Sequence, residues 1–205
     1  MGSGRSETLN AIFGGDRISV GEVSVGGQKV RRNSVRAAIR SGIALVPESR
    51  KDQGLVLGRS AADNIALPSL HSRQLAGFIR MGTERAVVDE AAERVDIRGR
   101  VRQVEVGALS GGNQQKALFA KWLVEPPTVF LIDEPTRGVD IAAKANIHKL
   151  ILELAERGAA VVVASSELEE VLSLSHRLAV MRQGSIVAEF DRSASPDEIM
   201  AAAFL

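Results

Sequence analysis

The run 109–116, Leu-Ser-Gly-Gly-Asn-Gln-Gln-Lys, followed by the strand-like run Val129-Phe130-Leu131-Ile132 and the pair Asp133-Glu134, constrains this chain more than any other feature. A Ser-Gly-Gly turn that opens a helix is a backbone-lined anion site. Its glycines let the main chain approach a phosphate, and the free N–H groups and dipole of the next helix point at it. The apolar run reads as a strand buried on both faces. Such a strand delivers Asp133 and Glu134 to the carboxyl end of a sheet, where open α/β folds bind ligands. An aspartate placed there can hold Mg²⁺, and a neighbouring glutamate can orient or deprotonate a water for attack on a γ-phosphate.

The rest of the chain supplies the elements such a sheet needs. Glu7 to Phe13 reads as a helix ended by Gly14-Gly15, and Ile18 to Val30 as an antiparallel hairpin around Gly26-Gly27. Ser34 caps a short helix through Arg40, closed by Gly42, and Ile43 to Val46 is a buried strand stopped by Pro47. From Ala61 to about Arg98, Ala, Val and Leu recur three and four apart with no strand-like run, which predicts a helical insertion. Beyond the helix opened by the Ser-Gly-Gly turn, strand 129–133, helix 140–157, strand 160–164 and helix 167–174 follow. Strands at 178–181 and 186–190 and a last helix from Pro196 complete the chain. Alternating strands and helices predict a parallel sheet with helices on both faces.

With 205 residues and 45% apolar composition, the chain suits one α/β domain with a small insertion. A net charge of +1 gives no general electrostatic attraction to nucleic acid or a membrane surface. The absence of cysteine excludes disulfides, thiolate metal sites and cysteine nucleophiles. His71, His148 and His176 lack metal-ligand spacing and read as surface or packing residues, and scarce aromatics disfavour base stacking. No apolar stretch reaches the ~18 residues needed to span a bilayer, and the start lacks a signal-peptide pattern.

Four runs together carry a resemblance: LSGGNQQKALFAKWL at 109–123, DEPTRGVD at 133–140, VPESRKDQGL at 46–55 and ASSELEEVLSLSHRLAVM at 164–181. From Met1 to about Met181 the sequence resembles the nucleotide-binding cassette of ABC transporters. More narrowly, it is similar to the C-terminal cassette of the two-cassette ATPase subunits of bacterial monosaccharide importers. The resemblance implies an α/β P-loop NTPase fold with a parallel core, a small antiparallel hairpin region and a helical subdomain inserted at 61–108 of a single domain spanning 1–205. It implies ATP and Mg²⁺ as cofactors, with Ser110, Gly111, Gly112, Asn113 and Gln114 facing the nucleotide of a partner cassette. Glu134 becomes the candidate general base and Asp133 a metal ligand. Asp140 lies in a segment that crosses the dimer interface in the family, and it also suits a helix N-cap.

Measured against that family, several positions depart. A phosphate-gripping loop reads Gly, four residues, Gly, Lys, Ser/Thr after a strand. With Gly4 as the second glycine, Arg5 stands in the lysine's place and Ser6 supplies the metal-binding hydroxyl. Arginine keeps the charge but not the compact ammonium that reaches between phosphates, and the family's C-terminal cassettes tend to carry it. The first glycine and the first core strand would lie upstream, so Met1 reads as an internal methionine of a longer subunit. A short Gly/Ser leader is the alternative. Without that strand the sheet is expected to expose apolar edges, leaving the isolated chain marginally stable or self-associating. Glu48 stands where a glutamine usually contacts metal or water; an ionised carboxylate binds metal but cannot donate to water. Ser166 stands where the family usually places a switch histidine and cannot carry its positive charge.

The parts serving the chain's own ATP are therefore altered, while the part serving a partner's ATP is whole. The leading expectation is a Mg²⁺-ATP-dependent cassette energising monosaccharide import from the cytoplasmic face of the bacterial plasma membrane. Its expected partners are an N-terminal cassette of the same subunit or a second cassette, the membrane permease, and indirectly a periplasmic sugar-binding protein. The alternative is a degenerate, non-catalytic cassette that binds nucleotide and partners. A soluble ABC ATPase acting on DNA or ribosomes would need a coiled-coil insertion or basic linker, and neither is present.

Overall fold

Element boundaries follow the local signals. The structure, a computed structural model, describes residues 2–70, 74–75, 78–79, 81–97 and 99–204; Met1, His71 and Arg98 lie outside them. Helix α1 (Arg5–Phe13) begins two residues earlier than its apolar pattern implies and ends at Gly14. Strands β1 (Val23–Val25) and β2 (Gln28–Val30) pair antiparallel through Gly26 and Gly27, whose φ values of 57° and 78° suit a two-residue hairpin turn. The ladder is shorter than the expected 18–30, because Ile18 is held instead by the Asn33 side-chain amide. Helix α2 (Val35–Arg40) is capped by Ser34, whose hydroxyl accepts from the Ala37 N–H.

Strand β3 (Ile43–Val46) is buried throughout and is followed by a wide helical turn, Arg50–Gly54. In that turn the Gly54 N–H donates to the Ser49 carbonyl at 3.2 Å. Helix α3 (Ala61–Ala66) opens with a reciprocal Ser60–Asp63 capping box. The next segment departs from the expectation of a purely helical block. A small antiparallel hairpin, β4 (Gln74–Leu75) with β5 (Phe78–Ile79), precedes helix α4 (Met81–Arg94). Two-residue strands are too short to leave an alternating pattern in sequence. Then come α5 (Gly111–Leu123), β6 (Val129–Asp133), α6 (Ile141–Glu156), β7 (Ala160–Ala164), α7 (Leu168–Leu174), β8 (Arg177–Arg182), β9 (Ser185–Asp191) and α8 (Pro196–Phe204), close to the expected bounds.

The chain divides into two units. The first comprises residues 1–45, 129–135 and 151–205. Its centre is a sheet of order β3-β6-β7, with β6 and β7 parallel and in register from Val129 opposite Ala160 to Asp133 opposite Ala164. Leu9 of α1, Ala38 of α2, Val30, Ile43, Leu45, Leu131 and Ala164 form one apolar cluster. A second cluster joins Leu178 and Val180 of the antiparallel β8–β9 pair to Ile199 of α8. The other unit comprises residues 46–128 and 136–150. There α3, α4 and α5 pack on one another, and Ala61, Ile65, Val88, Ala92, Leu118 and Phe119 on these helices are nearly or fully removed from solvent.

Strand β7 is, like β3, an edge of this sheet, but it is less buried. Among the described residues it pairs with β6 on one side only, and Val162 is 45% exposed. An open, apolar strand edge is a template for pairing with another chain. The isolated chain is therefore expected to exceed its monomer mass in light scattering. Val162→Lys should move it toward that mass by placing a charge on the edge. A wild-type monomer with one cooperative melting transition would contradict this.

Candidate nucleotide site

In the first unit, one cluster forms at the end of β6. Burial of β6 carries Asp133 to 3% exposure at the strand terminus, where desolvation raises its pKa. The Ser6 hydroxyl bonded to it and the Arg5 charge oppose that rise, and the Glu7 carboxylate adds to it. Glu134 follows with φ at 47°, a left-handed conformation uncommon for a residue with a side chain, while its N–H stays in the sheet on the Ala164 carbonyl at 2.8 Å. Its carboxylate faces the Arg5 guanidinium at 3.6 Å and accepts from the Ser166 hydroxyl at 3.1 Å. Gly4 starts α1 at φ 91°, and a Cβ there would meet Gly184 Cα at 2.7 Å, so only glycine fits against the β8–β9 turn. Thus Gly4, Arg5, Ser6, Asp133, Glu134 and Ser166 assemble at one place.

In the second unit, Ser110 begins α5, its hydroxyl accepting from the Asn113 N–H at 3.4 Å. The Gly111 and Gly112 amides head the helix with no acceptor among the described residues. Ser110 is exposed and Asn113 partly so. Gly112 packs against α6, where a Cβ would touch that of Ala143 at 3.0 Å. Asp140 caps α6, accepting from the Ala143 N–H at 2.8 Å.

Gln114 departs from the expectation that it faces a nucleotide. It is 3% exposed and its amide is spent internally, donating to the Val106 and Leu109 carbonyls at 3.1 Å each and accepting from Arg50 Nε at 3.1 Å. Glu48, read as a metal or water contact, forms an ion pair with Arg137. Two residues escaped the sequence reading. Glu7 places a negative charge beside Asp133, and Arg50 reaches three groups of the second unit. A basic residue in a loop carries no sequence signal for contacts so distant in the chain. Among the described residues, no group of three or more His, Asp or Glu is placed to hold a metal. A hydroxyl bonded to a carboxylate, as Ser6 is to Asp133, is nonetheless a hard-oxygen pair suited to Mg²⁺.

A partly parallel sheet with carboxylates at a strand end, beside a helix opened by Gly-Arg-Ser, is the frame of a P-loop NTPase. Residues 1–137 match the model of the ABC transporter family. The chain belongs to that family. It is 44% identical over 200 residues to the ribose import ATP-binding protein RbsA of Jannaschia sp. (strain CCS1), covering 98% of this chain and 39% of that protein. The RbsA protein of Rhodococcus jostii (strain RHA1) is 45% identical over 198 residues, 97% of this chain and 39% of the relative. The chain thus spans about two fifths of the length of these curated relatives. The fold matches that of the ATP-binding cassette MJ0796, solved as a dimer bound to ADP and Pi, with TM-score 0.78 and 24% identity over 94% of this chain and 82% of that one.

Asp133 sets a testable conflict between stability and function. A carboxylate whose folded pKa is raised binds more protons folded than unfolded, so stability falls as pH rises from the unfolded value of ~3.9 through the folded one. Asp133→Asn removes this penalty while still accepting from Ser6. It should raise Tm near neutral pH. The gap should close below the unfolded pKa, and Mg²⁺-dependence of nucleotide binding should be lost. Thermal melts across pH, with and without Mg²⁺, check both parts.

Proposed function

We propose that this chain is an ATP-binding cassette that energises import of a monosaccharide, and that its principal contribution is to a partner cassette's ATP. The observation that carries this reading is the state of the two half-sites. The Ser110-Gly111-Gly112 turn offers two unpaired amides and an exposed hydroxyl at a helix start, a ready anion cradle. On the chain's own side, the Arg5 guanidinium is turned to Glu134 and Glu7 adds a negative charge near Asp133. Ser166 there donates a hydrogen bond to Glu134 and has no positive charge to offer a phosphate.

In this reading Gly4, Arg5 and Ser6 hold the chain's own phosphates, with Ser6 and Asp133 holding Mg²⁺. Bound there, Mg²⁺ would neutralise phosphate oxygens. Glu134, held by Ser166, orients or deprotonates the water. Ser110 to Asn113 face the partner's nucleotide, with Gln114 bracing them from inside. Asp140 lies in the segment that crosses between cassettes while it caps α6. Within the inserted subdomain at 61–108, the helical block from Ala61 to Arg98 faces the permease, and Glu48 to Gly54 relay nucleotide state to it. The partner is an N-terminal cassette of the same subunit or a second cassette, working with permease subunits on the cytoplasmic face of the membrane and indirectly with a periplasmic sugar-binding protein. The family membership and the identity to proteins named for ribose import support this reading. If both sites prove silent, the chain is the degenerate binding module instead.

Calorimetric titration of the two-cassette subunit with Mg²⁺-ATP, paired with steady-state ATPase, tests the asymmetry. Gly111→Asp should lower ATPase about a hundredfold or more, by setting a charge and bulk where phosphate oxygens must be stabilised. Glu134→Gln should cost at most about tenfold, because the partner-side site remains. Equal losses from both changes would sink the asymmetric reading.

A further inference from the structure

We infer that Arg50 is a positioning residue that fixes the Ser-Gly-Gly turn to the loop after Glu134, so that the turn meets a partner's nucleotide in one orientation. The inference rests on the reading of that turn given above. Arg50 Nε donates to Gln114 Oε1 at 3.1 Å, Nη1 to the Arg137 carbonyl at 2.8 Å and Nη2 to the Gly138 carbonyl at 3.1 Å. One planar guanidinium thus ties α5 to the 137–138 loop from the wide turn after β3. Glu48, two residues away, holds the same loop through an ion pair with the Arg137 side chain. Gly111 confirms how tight the junction is: a Cβ there would lie 2.9 Å from the Gly138 carbonyl oxygen and 3.0 Å from Arg50 Nη2. The loop at 137–138, the turn at 110–112 and the segment 48–50 therefore cannot shift independently. A change at Glu48 or Arg50 is transmitted toward Ser110 through Gln114, whose buried amide is also bonded to the Val106 and Leu109 carbonyls just before the turn.

The fork is the essential feature. Three donors in fixed geometry reach three acceptors, and a lysine ammonium cannot span them. A residue needed only for charge or bulk would be replaced by lysine without loss.

The test uses the two-cassette subunit assembled with its permease. Arg50→Ala is expected to lower kcat for ATP hydrolysis roughly tenfold to a hundredfold, the range for a small misplacement of catalytic parts, with KM for Mg²⁺-ATP within about twofold. Arg50→Lys should recover less than half of that loss on a logarithmic scale. Rates are normalised to folded protein by circular dichroism, and Arg50→Lys carries the test where Arg50→Ala does not fold. Wild-type kcat in Arg50→Lys overturns the inference, as does an Arg50→Ala loss that vanishes on normalisation. Gly111→Asp is run beside them. If it is inactive while the Arg50 variants are normal, the Arg50 inference alone fails; if Gly111→Asp is itself active, the reading of the turn fails.

Discussion

Burial of β6 is the constraint on which the chain's own half-site depends. Phe130, Leu131 and Ile132 are fully or almost fully out of solvent, and each side chain of this size contributes about 1.5–3 kcal/mol when removed from water. That apolar drive holds the strand between β3 and β7 and forces its last residue, a carboxylate, to 3% exposure. The cost of desolvating Asp133 is met locally, by a hydroxyl from Ser6 and a charge from Arg5. Glu134 escapes the same fate by turning to a positive φ, which lifts its side chain out of the strand's alternation while its N–H stays on Ala164. One strand therefore yields two carboxylates in different environments, one buried and one partly exposed.

Two of the altered residues converge on the same unaltered one. Arg5 and Ser166 both engage Glu134, from opposite partners in chemistry: one a charge and one a hydroxyl. A lysine would present a smaller, more mobile ammonium, whereas arginine's planar fork suits a carboxylate. Without a bound phosphate the fork has such a carboxylate at 3.6 Å. An anion reaching Arg5 would have to compete with this ion pair.

Much of the fold was legible because its elements carry signals that act locally. Ser34, Ser60 and Asp140 cap helices through hydrogen bonds spanning three residues, and the Gly26-Gly27 turn declares its hairpin. The buried strands β3 and β6 are continuous apolar runs, and the spacing of Asp133, Glu134, Ser110 and the two glycines marked where a strand ends and a helix begins. What escaped was long-range or very short. The β4–β5 hairpin has two residues per strand, below any useful period. Arg50 acts on groups 64 to 88 positions away, and Gln114 turns inward because Val106, Leu109 and Arg50 saturate its amide. No pattern in the neighbouring sequence encodes either contact.

Gly111 and Gly112 show why a motif can be readable without its reason being so. Spacing suggests that they are small so that a phosphate can approach. The chain's own packing demands the same smallness: Gly138 and Arg50 leave no room at Gly111, and Ala143 leaves little at Gly112. The two requirements are compatible, because packing that excludes a Cβ at these positions leaves room for no side chain over the backbone amides. A preorganised donor pair costs no rearrangement when charge arrives. The smallness of both glycines is thus fixed by interior packing, in which Arg50 and Gly138 crowd the first and Ala143 the second.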